Sequence, residues 1–122
     1  MRGGKSPNYD KDSVSECEGE LKKAGLPSNI MIDCSHGNSN KNHKNQGLVL
    51  GEIAEQIEEG NRSIIGVMIE SNLKEGNQPI PDDLSDLSYG VSVTDACISW
   101  ESTEELLRGF AARVRPSLKN RI

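Results

Sequence analysis

The chain has 122 residues, 34% of them apolar and only 3% aromatic, with 14 basic against 19 acidic side chains and a net charge of −5. That length fits one small domain or a piece of a larger one, and the apolar share is low for an independent α/β domain, whose buried parallel strands consume apolar side chains quickly. With no basic stripe beyond a scattered tail from Arg108 to Arg121, no apolar run near the roughly 18 residues of a membrane span and no signal peptide, neither nucleic acid nor a membrane is expected as a partner.

The chain opens on Met1-Arg2-Gly3-Gly4-Lys5, a glycine-rich turn of the kind that usually follows a strand, here without one before it. Lys11 to Ala24 reads as a helix: Val14, Cys17, Leu21 and Ala24 recur at three- and four-residue steps, Asp12 or Ser13 is the expected N-cap, and Gly25 and Pro27 stop it. Ile30 to Cys34 is a short strand, followed by the polar loop Ser35 to Asn42. A second helix is expected from about His43 to Glu59, with Val49, Ile53, Ala54 and Ile57 on its apolar face and Gly60 as its cap, and a second strand from Ile64 to Ile69.

From Ser71 to Val93 the chain reads as irregular, with Gly76, Pro79, Pro81, Gly90 and an acidic Asp82-Asp83…Asp86 patch. A connection of about 20 residues without regular structure usually belongs to a site or a lid. The last helix is expected near Ser102, where Ser102 and Glu105 form a capping box, and to end at Pro116. Short continuous apolar runs alternating with amphipathic helices signal a parallel sheet covered by helices. Two strands do not make a stable sheet alone, so the pattern is that of a segment of a larger α/β barrel or doubly wound sheet.

Two strand ends deliver residues that can ligate a metal, His36 and Glu70, and a third candidate, Asp95, lies in Ser92-Val93-Thr94-Asp95-Ala96-Cys97. Parallel α/β folds build sites at the carboxyl ends of their strands. Neighbouring parallel strands lie about 4.8 Å apart, so His36 and Glu70 can share an ion if their strands are adjacent. Imidazole with carboxylates suits Mn, Fe, Co or Zn. The same residues also fit blander roles: a His and a Glu hydrogen-bonded to loops, and Thr94-Asp95 as a turn or cap pair. Asp33 needs a partner if it faces inward, and could orient His36; His43 reads as solvated.

Arg2-Gly3-Gly4-Lys5 can bind an anion through a guanidinium and approachable backbone N–H groups. The loop from Ser35 to Lys41 offers hydroxyl, amide and ammonium groups that fit either a substrate or a hydrophilic turn. Cys17, Cys34 and Cys97 form neither a disulfide framework nor a zinc pattern. They point to a reducing cytoplasm, with Cys17 and Cys34 as packing residues.

The segments Arg2-Gly3-Gly4-Lys5…Pro7-Asn8-Tyr9, Met31 to Ser39, Ile65 to Ser71 with Glu75-Gly76-Asn77-Gln78, and Tyr89 to Glu101 closely resemble the class I 3-deoxy-D-arabino-heptulosonate-7-phosphate (DAHP) synthases. The resemblance runs nearly end to end. It implies the carboxyl-terminal portion of a (β/α)8 TIM barrel: helix six, strand seven, helix seven, strand eight, a long loop and helix eight, with residues 1–122 forming one partial domain. It implies metal-dependent condensation of phosphoenolpyruvate with erythrose 4-phosphate and water, giving DAHP and phosphate, the first step of the shikimate pathway to chorismate and the aromatic amino acids.

By the same resemblance His36, Glu70 and Asp95 are three of four metal ligands and Arg2 contacts phosphoenolpyruvate. Cationic side chains hold the two substrate phosphates, and the parent enzymes are homo-oligomers. The family's fourth ligand is a cysteine from an earlier strand; Cys97 matches a different, non-ligating cysteine. The chain alone is therefore expected to be inactive. The alternative is a non-catalytic fragment that complements or binds other synthase subunits.

Overall fold

The computed structural model describes residues 1–121. Helix α1 (Lys11–Lys23) begins at Asp10, whose carboxylate accepts from the Ser13 backbone N–H at 2.9 Å. The cap is thus two residues earlier than Asp12, because only Asp10 stands three residues before a free N–H of the first turn. Strand β1 (Ile30–Asp33) leads into a 3₁₀ turn at His36–Ser39. A second 3₁₀ turn, His43–Asn45, replaces the expected first turn of the next helix, so α2 runs from Gln46 to Glu58. Strand β2 (Ile64–Met68) follows.

Strands β1 and β2 pair in parallel, with Ile30 opposite Ile64 and Ile32 opposite Val67. The register slips after Ile30, so β2 spends one extra residue. That bulge matters for parity: it lets Ile64, Val67 and Ile69 all turn toward the core that Ile30 and Ile32 face, and so sends Glu70 to the other side. On the far sheet face Met31 and Ile65 stay more than half exposed. Met1 extends this sheet on the free side of β1, donating to the Met31 carbonyl and accepting from the Asp33 N–H at 2.9 Å.

The segment expected to be irregular contains regular structure. Ser71–Asn72 (β3) pairs in parallel with Ile98–Ser99 (β4), and Leu84–Asp86 forms a 3₁₀ turn. Two-residue strands carry no periodic signal, so only the tertiary pairing reveals them. Helix α3 spans Trp100–Lys119 and is capped by Ser99, whose hydroxyl accepts from the Ser102 N–H, and not by a box at Ser102.

Pro116 sits inside α3 instead of ending it. The hydrogen bond it forfeits belongs to the carbonyl of exposed Ala112, which water can satisfy. Beyond it the helix is tied down, Arg121 donating to the carbonyls of Ile64 and Asn61.

Helix α2 is the centre of the core. Val49, Leu50, Ile53, Ala54 and Ile57 are buried against Val14 of α1, Ile30 and Ile32 of β1, Ile64 of β2 and Val114 of α3. Each aliphatic side chain so buried is worth about 1.5–3 kcal/mol of transfer free energy. Cys17 and Leu21 of α1 and Leu106 and Phe110 of α3 pack on this cluster, whereas Ala24 and Leu107 are exposed. No helix among the described residues is long and apolar enough to cross a membrane.

Candidate metal centre

His36, Glu70 and Asp95 converge. One ligand atom from each lies within 4.8 Å of the others, and this is the one such group among the described residues. His36 Nε2 is 3.3 Å from Glu70 Oε1 and 3.7 Å from Asp95 Oδ2. The adjacency of β1 and β2 brings the first two together, as their parallel pairing requires.

Each of the three side chains has its own support. The other imidazole nitrogen, His36 Nδ1, is 2.8 Å from Asp33 Oδ2, which turns Nε2 toward the two carboxylates. His36 also adopts a left-handed backbone, φ 44°, a conformation seldom taken by non-glycine residues and concentrated at functional sites. Ser35 donates its hydroxyl to Glu70 Oε2 at 2.8 Å, leaving Oε1 toward the imidazole. Asp95 arrives over the longest route. Gly76 and Cys97 bridge antiparallel, Asn77 donates to the Thr94 carbonyl, and Gln78 binds the carbonyls of Ser88 and Val91. These bonds fold the 71–97 excursion back over the strand ends. The Asp95 side chain remains 70% exposed.

The sequence reading missed Gln46. Its amide accepts from the Glu70 N–H at 2.8 Å and donates to the Glu70 carbonyl at 3.0 Å, and the side chain is fully buried. The available signal was a glutamine three residues ahead of Val49 on the apolar face of α2. Asn38 is a second omission. Its buried amide donates to the Asp33 carbonyl at 2.9 Å and its oxygen accepts from the Asn8 N–H at 2.7 Å, joining the His36 loop to the first loop.

The two loops touch backbone to backbone. A Cβ on Gly3 would lie 2.7 Å from the Asn38 nitrogen, and one on Gly37 would lie 2.8 Å from the Gly3 carbonyl carbon. This contact puts exposed Arg2 on the rim of the same cleft, about 650 Å³ in volume, that His36, Glu70 and Asp95 line. His43 is not solvated as expected. It lines the cleft, and its Nε2 sits 2.9 Å from Glu75 Oε1 because the chain after β3 folds across it. That hydrogen bond holds the Glu75 carboxyl below its usual range.

Burial pushes the Cys34 thiol up to about 12, with the Asp33 charge adding to it, which makes Cys34 an inert packing residue. Cys97 is also raised, chiefly by burial, and lies outside the ligand group.

Fold and site together define a parallel α/β unit with a histidine–carboxylate cluster at the carboxyl ends of its strands. Residues 1–108 match the DAHP synthetase I family, and the chain belongs to that family. It is 52% identical over its whole length to the Tyr-sensitive phospho-2-dehydro-3-deoxyheptonate aldolase of Escherichia coli K12, covering 34% of that protein. It is 54% identical over 122 aligned residues to the phenylalanine-inhibited enzyme of Saccharomyces cerevisiae, covering 33% of it.

Among solved structures, phospho-2-dehydro-3-deoxyheptonate aldolase from Francisella tularensis SCHU S4 superposes with a TM-score of 0.87 at 49% identity, over 93% of this chain and 33% of that one. The chain thus spans about a third of the length of these relatives.

Proposed function

We propose that residues 1–122 form the carboxyl-terminal third of a DAHP synthase TIM barrel, from helix six through helix eight, with β1 as strand seven and β2 as strand eight. In this reading the assembled enzyme condenses phosphoenolpyruvate with erythrose 4-phosphate and water, releasing phosphate, in the cytoplasmic shikimate pathway. The observation that carries it is the convergence of His36, Glu70 and Asp95 within 4.8 Å in the cleft that Arg2 also lines.

The donor set fits a borderline divalent ion: one imidazole Nε2, fixed by Asp33 on its other nitrogen, and two carboxylate oxygens. His36, Glu70 and Asp95 would hold it. Such an ion, when bound, supplies Lewis acidity toward a carbonyl oxygen. The remaining work belongs to the chain. Arg2 offers a planar fork that matches a phosphate or carboxylate of phosphoenolpyruvate. The Gly3–Gly37 contact fixes the arginine's loop relative to the imidazole, and Gln46 and Ser35 fix the Glu70 carboxylate.

Calorimetric titration of the chain with Mn²⁺ tests the ligand set. Weak binding lost in His36→Ala is expected, and tight binding that survives His36→Ala overturns the set. Purified chain assayed with both substrates and Mn²⁺ is expected to be inactive; turnover above about 0.1 s⁻¹, a hundredth of a typical rate of about 10 s⁻¹, contradicts that. Co-expression with the remaining two-thirds of a relative's barrel is expected to restore synthase activity. No co-migration and no activity would count against the barrel assignment.

A further inference from the structure

Residues 73–97 are bonded almost wholly to one another. The Lys74 N–H donates to the Gly90 carbonyl at 2.8 Å, the Gly76 N–H to Cys97 at 2.9 Å and the Gln78 N–H to Ser92 at 2.7 Å. Gly90 takes a positive φ of 80°, and a Cβ there would lie 2.8 Å from Leu73 Cβ, so the two sides of this lobe meet closely at its neck. The base is the short pairing of Ser71–Asn72 with Ile98–Ser99. None of the lobe's side chains joins the core cluster, and Leu73, Ile80, Leu84 and Tyr89 are each more than half exposed.

Polar ties from the lobe to the rest of the chain are few. Among the described residues, its hydrogen bonds and ion pairs reach outside at two places. Glu75 Oε1 meets His43 Nε2 at 2.9 Å and Lys44 Nζ at 3.9 Å, and Asp95 Oδ2 stands 3.7 Å from His36 Nε2. Asn77, Gln78, Asp83, Ser92, Thr94 and Cys97 all bond within the lobe. His43 belongs to the 3₁₀ turn that leads into α2, so one partner is fixed to the core helix while the other rides on the lobe. The Glu75 side chain is half exposed, and a pair so open to water contributes little to stability. It biases the lobe without welding it.

We propose that residues 73–97 form a hinged lid that delivers Asp95 to the cluster, with His43 and Glu75 as its latch. Both are positioning residues that act through Asp95. An ion held by His36, Glu70 and Asp95 ties the lid down at a second point. Latch and ion therefore favour the same closed arrangement, and each strengthens the other. The inference rests on the ligand set proposed above and is independent of the reaction.

Two measurements on the full chain test this. In the first, nitroxide labels at Leu48→Cys on α2 and Leu84→Cys on the lid report their separation, with Cys17 and Cys97 replaced by serine. Glu75→Ala and His43→Ala each broaden the distance distribution toward longer separations, and Zn²⁺ narrows it again. Glu75→Gln keeps the shape and an acceptor oxygen, and falls between the parent chain and Glu75→Ala. In the second, calorimetry follows Mn²⁺ binding. Glu75→Ala and His43→Ala each weaken it about threefold, the scale of a half-exposed pair, and neither has an effect once Asp95 is replaced by alanine. A pure charge effect would separate the two variants, because only the loss of Glu75 removes an anion.

The lid falls if the labelled separation is the same in the parent chain, Glu75→Ala and His43→Ala. The coupling falls if Glu75→Ala weakens Mn²⁺ equally with and without Asp95, or if His43→Ala leaves the affinity unchanged. A separation that responds to Glu75→Ala in a chain that binds no Mn²⁺ sustains the latch and overturns the ligand set instead.

Discussion

Asp33 and His36 face each other across one turn of chain, Oδ2 to Nδ1 at 2.8 Å, at the end of β1. This contact orients the imidazole so that Nε2 faces Glu70 and Asp95. Asp33→Asn is expected to weaken Mn²⁺ or Co²⁺ binding by about 10–100-fold, the usual cost of losing such a partner. Thermal stability without metal should change far less. Calorimetry beside a melting curve separates the two.

Gln46 is expected to behave as a positioning residue for Glu70. Gln46→Leu keeps the volume but leaves the Glu70 backbone N–H unpaired, while the Glu70 carbonyl keeps its bond from the Ile98 N–H. A buried orphan costs about 1–3 kcal/mol. Urea denaturation should show that loss, and metal affinity should fall with it, since the Glu70 carboxylate hangs from the released backbone.

Gly37→Ala should be among the most damaging single-methyl additions in the chain. The new Cβ would meet the backbone of Gly3 and Gly4 at 2.8 Å, which no rotamer change relieves. A destabilisation of about 1–3 kcal/mol is expected for overpacking of this kind. Gly109→Ala, where a Cβ meets nothing within 4 Å, serves as the control in the same denaturation series.

Cys34 should resist alkylation in the native state while Cys97 and Cys17, both partly exposed, react first. The Cys34 thiol is raised from 9.0 to about 12 on folding. Its neutral form is therefore favoured in the folded state, and its contribution is complete below pH 9. The unfolded chain binds fewer protons above that pH, so stability declines as pH rises from 9 toward 12. Cys34→Ser or Cys34→Ala should flatten that alkaline decline in a series of melting curves.

Glu58 and Arg113 join α2 to α3 through two hydrogen bonds at 2.7 and 3.0 Å. The guanidinium holds the Glu58 carboxyl below its ordinary value of 4.5. A depressed carboxyl stabilises the fold above pH 4.5, and the effect fades as pH falls through its lower folded value. Arg113→Gln should remove that acid dependence, and 1 M salt should shrink it because the pair is exposed.

What the sequence discloses is uneven for physical reasons. The face of Val49, Ile53, Ala54 and Ile57 announces α2 because a helix packed on a sheet needs a stripe at that spacing. The parallel strands and their two ligand candidates follow from apolar runs that end in His36 and Glu70. Pattern alone leaves Asp95 a candidate that fits a turn or cap role equally, because bonds from Asn77, Gln78 and Gly76 across some 20 residues are what bring it back. Helix ends also escape: the cap at Ser99 and the survival of α3 through Pro116 depend on partners distant in sequence, such as the Arg121 contacts to Ile64 and Asn61. The bulge in β2 is invisible in a run of aliphatics, yet it decides which way Glu70 points.

The contact between Gly3 and Gly37 has a bearing on ion choice. Main-chain atoms in van der Waals contact hold the His36 loop against the arginine loop, and Gln46 anchors the backbone of Glu70. Neither donor has slack to follow a change in ionic radius. Asp95 does, because its carboxylate stands largely in solvent at the end of a long excursion. A change of ion should therefore leave the distance between Arg2 and the imidazole constant and be taken up almost entirely by the reach of Asp95. The give for ions of different radius and the fixed spacing between Arg2 and the imidazole then reside in different parts of the same cleft.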